Sequence, residues 1–383
     1  MRDYRARLGY LDEVTTLLYP ATSPSEATSA PTGTASSTTY ALLPSRYLPR
    51  RLVPRSRWLP GRRRLPQGPG TIETYLSEVF GERVRATVHV RPARRANRKP
   101  ILEIRGVAGK LLAFVKIGDT DRSRALVRHE GAVLEALAGR PLRVVAAPTV
   151  LHHGVWNGLD VLALSPLPTR RRRVRSSLLE DAAHEIAALA TPRSAPGEGR
   201  RSPFVPSQRA SEDHRPPLTP GDAGEHTGPG ALGGVHRPVT PGDGAADFSA
   251  AGDVLLLPVG AMGGHAWHGD FAPWNMAPAP DGRLAVWDWE RFATGVPLGF
   301  DALHHFFQRA LRRRMPPRLA AEACLASAVR TLAAFGPSAG EARRTAAHYL
   351  ITLADRYERD GHQPLGAPAE WLNPVLDHQE ALQ

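Results

Sequence analysis

Lysine is almost missing from this 383-residue chain. Among its 49 Lys and Arg residues only Lys99, Lys110 and Lys116 are lysine, and the rest are arginine. So strong a lean towards Arg and Ala reads as the bias of a GC-rich bacterial genome. It weakens the formal net charge of +12 as an argument for a nucleic-acid partner, and no specific one is expected. Cysteine is equally scarce. Cys324 stands alone, which excludes an internal disulfide, and without a CxxC or a Cys/His cluster there is no zinc ligand set. Long apolar runs are missing too: nothing approaches the ~20 consecutive apolar residues that cross a bilayer. The first residues also lack the basic-then-apolar pattern of a secretory signal. The expectation is a cytoplasmic chain with no transmembrane segment and enough length for two or three lobes.

What is present concentrates in residues 265–290, HAWHGDFAPWNMAPAPDGRLAVWDWE. His268, Asp270 and Asn275 form the pattern H-x-D-x-x-x-x-N. Phosphoryl transfer asks this of a catalytic loop: a carboxylate to take or orient the acceptor hydroxyl proton, and a neutral amide oxygen to hold Mg²⁺. Pro278, Pro280, Asp281 and Gly282 then give a turn signal, and the apolar run 284–287 follows. A β-hairpin there returns Asp288 to the side of Asn275, a pair of hard oxygen donors suited to magnesium. Phe271, Trp274, Trp287 and Trp289 are expected to frame the loop.

The chain ahead of this stretch divides by composition. Residues 23–39 are rich in Ser, Thr, Pro and Ala and read as a flexible linker. Residues 40–66 alternate short apolar pieces with arginines, which predicts one or two edge strands packed loosely on the domain. A short helix is expected over 71–79, then strands over 84–90, 101–104 and 111–117. The turn at 91–100 holds Arg and Asn and no Gly. Residues 122–137 predict an amphipathic helix, and strands follow over 143–151 and 159–164. His152, His153 and Gly154 read as a turn between them. After a helix over 178–189, residues 191–250 are dense in Pro, Gly and Ser, and predict a disordered insertion. Helices are expected over 301–313, with Asp301 as N-cap, and over 317–334, 338–359 and 368–382.

HGDFAPWN at 268–275 and VWDWE at 286–290 resemble the catalytic and metal loops of the aminoglycoside phosphotransferase and choline kinase group, small-molecule kinases with a protein-kinase-like fold. The resemblance implies an α+β, bilobal architecture. A small lobe at 71–165 would carry an antiparallel sheet plus one helix, a mainly helical large lobe would span 166–383, and 1–70 would be an Arg-rich extension. It implies Asp270 as the catalytic carboxylate with His268 bracing the loop, and Asn275 and Asp288 as Mg²⁺ ligands. Lys116 would contact the nucleotide phosphates, held by Glu130 within R-x-E-x-x-x-L-x-x-L, with Glu135 as the competing partner. A compact ammonium fits that task in a way a flat guanidinium does not.

Ser165 and Leu167 would lie at the hinge, where backbone groups read the base, and Glu290 would add an outer contact. The implied cofactors are Mg²⁺ and ATP, with GTP as the alternative, and the implied partners are this nucleotide and a small hydroxyl-bearing acceptor. Arg312, Arg313 and Arg314 favour a neutral or anionic acceptor over a cationic aminoglycoside. Three other readings stay open: an inactive nucleotide-binding regulatory protein, a polyanion binder acting through the Arg-rich extension, and a protein kinase. The missing glycine loop and the lack of a recognisable activation segment after Asp288 disfavour the last.

Overall fold

Short runs rich in Val, Ile and Leu build a sheet larger than their spacing alone foretells. The computed structural model describes residues 2–20, 37–44, 49–54, 62–89, 98–190, 264–361 and 364–380. Its strands in chain order begin with β1 (Ser37–Pro44), β2 (Pro49–Pro54), β3 (Arg62–Pro66), β4 (Val84–His89), β5 (Ile101–Gly106) and β6 (Leu111–Gly118). They continue with β7 (Val145–Ala146), β8 (Val150–Trp156) and β9 (Leu159–Leu164). An eight-stranded sheet runs β3-β1-β2-β4-β5-β6-β9-β8, with every neighbouring pair antiparallel.

Three of those strands belong to the segment expected to pack loosely. Tyr40 and Leu52 have 0% exposure, and Leu42 and Leu65 are also buried, so this segment extends the sheet and its core. Ser37, Thr38 and Thr39 are part of β1 and not of a linker, while residues 23–36 lie outside those described. A helix that the sequence reading does not contain, α1 (Arg2–Leu18), packs on the same core through Leu11, Val14 and Leu18 at helical spacing.

Side-chain alternation divides the sheet. Val115 and Ile117 join the core shared with α1 and α2 (Ile72–Phe80), whereas Lys116 points to the opposite face, where α3 (Asp121–Ala138) lies. Thr71 caps α2, and Thr120 with Ser123 forms a capping box on α3. The expected turn at His152–Gly154 is instead the middle of β8. Asn157 and Gly158, both at positive φ, make the two-residue hairpin turn, because these residue types tolerate the left-handed backbone it needs.

Beyond α4 (Ser176–Ala187) the expected insertion lies outside the described residues, and so does most of the turn at 91–100. The chain resumes with β10 (His265–Trp267), β11 (Met276–Pro278), β12 (Leu284–Val286) and β13 (Ala293–Val296). β11 and β12 form the expected hairpin, which gains β7 as a parallel third strand, and β10 pairs with β13. The helices that follow are α5 (Phe300–Arg312), α6 (Pro317–Ala326), α7 (Ala328–Thr331), α8 (Ala339–Arg359), α9 (Pro368–Trp371) and α10 (Asn373–Glu380). Gly299 in the left-handed conformation, φ 95°, is the N-cap of α5, so Asp301 falls inside the first turn and is free for another task. Among the described residues no helix is long and apolar enough to cross a membrane.

Three apolar clusters result. One joins the sheet to α1 and α2; a second, around Phe300, Phe307, Tyr349 and Leu353, joins the C-terminal helices. The third links them, with Val127 and Leu134 of α3, Leu162 and Leu164 of β9, Ile186 of α4, and Phe271, Val286 and Trp289 of the 268–290 stretch. Truncating Leu52 to Ala should lower unfolding stability by ~2–4 kcal/mol in urea titrations, the cost of a cavity in a packed core. An unchanged midpoint would mean that β1–β3 are only loosely docked.

Candidate functional site

The site is assembled from elements far apart in sequence. Lys116 lies on β6, and its Nζ donates to both carboxylate oxygens of Glu130 on α3, at 2.6 and 2.5 Å. It also donates to Asp288 Oδ1 at 2.5 Å. Lys116 is 7% exposed and Glu130 is fully buried. Glu130 takes a further hydrogen bond, from the Trp289 backbone N–H at 3.1 Å, so one carboxylate fixes both the lysine and the chain beside Asp288. Burial works against the Lys116 ammonium, but Asp288 and Glu130 outweigh it and hold its pKa above the ordinary lysine value. Asp288 has φ 75°, a left-handed backbone that Asp adopts more readily than most side chains but still at a cost.

A second constellation centres on Asp270. Asn275 Nδ2 donates to Asp270 Oδ2 at 2.8 Å and to its backbone carbonyl at 3.0 Å, while His304 on α5 meets Oδ1 at 3.2 Å. Tyr349 on α8 holds the other His304 nitrogen at 3.1 Å. Burial lowers the pKa of His304, so this ring is neutral: it donates to Asp270 and accepts from the phenol. Burial alone would raise the Asp270 carboxyl, but the hydrogen bond from His304 leads the effects that bring it below the usual Asp value.

His268 is fully buried. Its Nδ1 accepts from the Asp270 N–H at 3.2 Å, and its ring meets Trp289 edge to face at a centroid separation of 4.7 Å. Burial pushes its pKa down to about 4. Gly269 between these two residues must be glycine. Its φ is 78°, and a Cβ there would fall 2.0 Å from the Arg291 carbonyl oxygen.

No protein-family model matches the chain, and no curated protein matches it. Among solved structures it is similar to one from Haemophilus somnus 129PT described as a putative fructosamine-3-kinase. The identity is 13% and the TM-score 0.41, with 80% of this chain and 96% of that chain covered. So distant a likeness says nothing of activity.

Of the residues singled out from sequence, Lys116, Glu130, His268, Asp270, Asn275 and Asp288 come together, with two changes. Lys116 bridges Glu130 and Asp288, and Asn275 is turned to Asp270. At the hinge the Ser165 N–H is already given to the Thr149 carbonyl at 2.9 Å; Leu167 makes no hydrogen bond with a described residue. Of the expected aromatic frame, Phe271 and Trp289 are buried and Trp287 is partly buried, but Trp274 is 40% exposed.

Several contacts escaped the sequence reading. Glu290 forms a buried ion pair with Lys99, just ahead of β5. Asp301 turns its Oδ2 to the His268 N–H at 2.8 Å; burial raises its carboxyl to about 7, against the pull of the His268 and Gly269 amides. Arg356 on α8 donates to the Gly269 carbonyl at 2.5 Å, and Asp360 at the end of α8 pairs with both Arg291 and Arg122. None of these contacts lies within a short motif, since each joins different elements.

Because His268 titrates at about 4 in the fold and near 6.5 unfolded, the unfolded chain binds a proton that the fold rejects. Its contribution is complete above pH 6.5 and is lost as pH falls towards 4, about 3 kcal/mol over the window. Asp301 acts in the opposite direction, so the contrast needs a variant. Urea midpoints should fall less steeply from pH 6.5 to 4 in His268→Gln than in the unmodified chain; parallel profiles would contradict the assignment.

Proposed function

We propose that this chain is a phosphotransferase of the bilobal, protein-kinase-like type that moves the γ-phosphoryl group of ATP to a hydroxyl of a small molecule. One observation carries the reading: a buried ammonium, Lys116, is held by Glu130 on a helix and by Asp288 on the loop after β12, in one packed unit with the Asp270–Asn275 pair. An ion-pair network built for stability alone has no need of a left-handed Asp288 or of an acid oriented by two separate side chains.

The donors suit Mg²⁺. Glu130, Asp288 and Glu290 each bring a carboxylate oxygen within 4.8 Å of the others. Asn275 spends its amide nitrogen on Asp270, so its carbonyl oxygen is the end left for a cation. Such hard oxygen donors are what Mg²⁺ selects, with Asn275 and Asp288 as the ligands we assign. Held by Asn275 and Asp288, Mg²⁺ would supply positive charge to neutralise what develops on the transferring phosphate.

The chain's own residues supply the rest. Lys116 neutralises the nucleotide phosphates, and Glu130 keeps it aimed. Asp270 orients the acceptor hydroxyl and takes its proton; His304 and Asn275 fix the carboxylate, and a neutral His268 braces the loop through the Asp270 N–H. With the Ser165 N–H engaged, the Leu167 backbone and the Ser165 carbonyl are left to read a base, and GTP is the alternative donor. The exposed Arg312, Arg313 and Arg314 favour a neutral or anionic acceptor.

Thermal denaturation with ATP or GTP tests the nucleotide site. Stabilisation should require Mg²⁺ and should vanish in Asp288→Ala. Unchanged unfolding with either nucleotide would remove the proposal and favour a polyanion-binding role.

A further inference from the structure

Of the three lysines in this arginine-rich chain, two meet in one place. Lys116 is bound by Glu130 and Asp288, and Lys99 by Glu290, and these three carboxylates form the single cluster already described. The exposed Lys110 is elsewhere, in the turn between β5 and β6.

Strand register explains the meeting. Ile101 on β5 is directly opposite Lys116 on β6, so the two side chains share a face of the sheet. The ladder runs one residue further, because the Ile117 N–H donates to the Pro100 carbonyl at 3.0 Å. Lys99, two residues before Ile101, therefore stands on the Lys116 face, about 7 Å further along the strand. It is 4% exposed. Just ahead of it, Arg98 pairs with Glu13 and lies over the Tyr10 ring, 4.9 Å from its centroid, which anchors this end of β5 to α1.

We propose that Lys99 is a second ligand for the nucleotide phosphates, held beside the site by Glu290 when no nucleotide is bound. The proposal rests on the phosphotransferase reading and adds a residue to it. Two ammoniums face three carboxylates, so the cluster keeps an excess of negative charge. A cation taken up by Asp288 and its neighbours reduces the hold of Glu290 on Lys99. A flexible ammonium can then turn to a phosphate oxygen without a change of backbone, as a bidentate guanidinium could not. This also gives a physical reason for lysine, and not arginine, at this position.

The test compares Glu290→Gln with Lys99→Met/Glu290→Gln. In the Gln background the Lys99–Glu290 ion pair is already gone, so removing Lys99 does not leave Glu290 as a buried, unpaired carboxylate. Titration calorimetry would measure ATP and adenosine, each with Mg²⁺, after both variants are shown to unfold cooperatively. ATP should bind at least ~10-fold more weakly to the double variant, the loss expected of one charge-assisted contact, with adenosine unchanged within about twofold. Equal ATP affinities, or equal losses for ATP and adenosine, would overturn the role of Lys99. If the unmodified chain itself binds ATP no better than adenosine, the phosphotransferase reading fails along with it.

Discussion

The site depends on a charge that has nowhere else to go. Lys116 is buried on an apolar sheet, and an ammonium in such surroundings is tolerated only with close, well-oriented counter-charges. Glu130 and Asp288 provide them from a helix and from a loop more than 150 residues later in the chain. Removing either would strand a buried charge, so the position of α3 on the sheet and the return of the β11–β12 hairpin are tied to one another. The hydrogen bond from the Trp289 N–H to Glu130 tightens the same link.

Around that link the apolar clusters divide the work. The sheet and its α1–α2 side give a rigid platform for Lys116 and Lys99, and the C-terminal helices give His304, Tyr349 and Arg356, which fix the Asp270 loop. The cluster between them, with Phe271 and Trp289, holds the loop itself. Asp360 at the end of α8 reaches Arg122 on α3 as well as Arg291, so the helical part grips the same helix that carries Glu130. Preorganisation of this kind keeps an acid and an amide in place with little reorganisation when charge moves.

The sequence made the hairpin legible because Pro, Asp and Gly punctuate it and both ends carry polar residues at fixed spacing. Lys116 and Glu130 were legible through the scarcity of lysine and through the resemblance of residues 128–137 to the pattern R-x-E-x-x-x-L-x-x-L. α1 was not, because its Arg, Asp and Glu residues dilute an apolar stripe that only Tyr40, Leu52 and the sheet make into a core position. The strands β1–β3 looked like a loose Arg-rich arm, because Arg51, Arg62 and Arg64 are exposed while Tyr40, Leu42 and Leu52 turn inward. Asp301 was legible as a helix-start residue, but its real partner, the His268 amide, lies across the fold, where no local pattern points. The pairing of Lys99 with Glu290 was hidden for the same reason.

Phosphorus NMR would read transfer of phosphate to an alcohol without an intermediary assay. Incubating the chain with ATP, Mg²⁺ and pooled hydroxyl-bearing small molecules should yield ADP and a new phosphomonoester resonance, slowed about 10²- to 10⁴-fold in Asp270→Asn. ATP left unchanged, or inorganic phosphate as the only product across a broad set of acceptors, would rule out phosphoryl transfer to a hydroxyl.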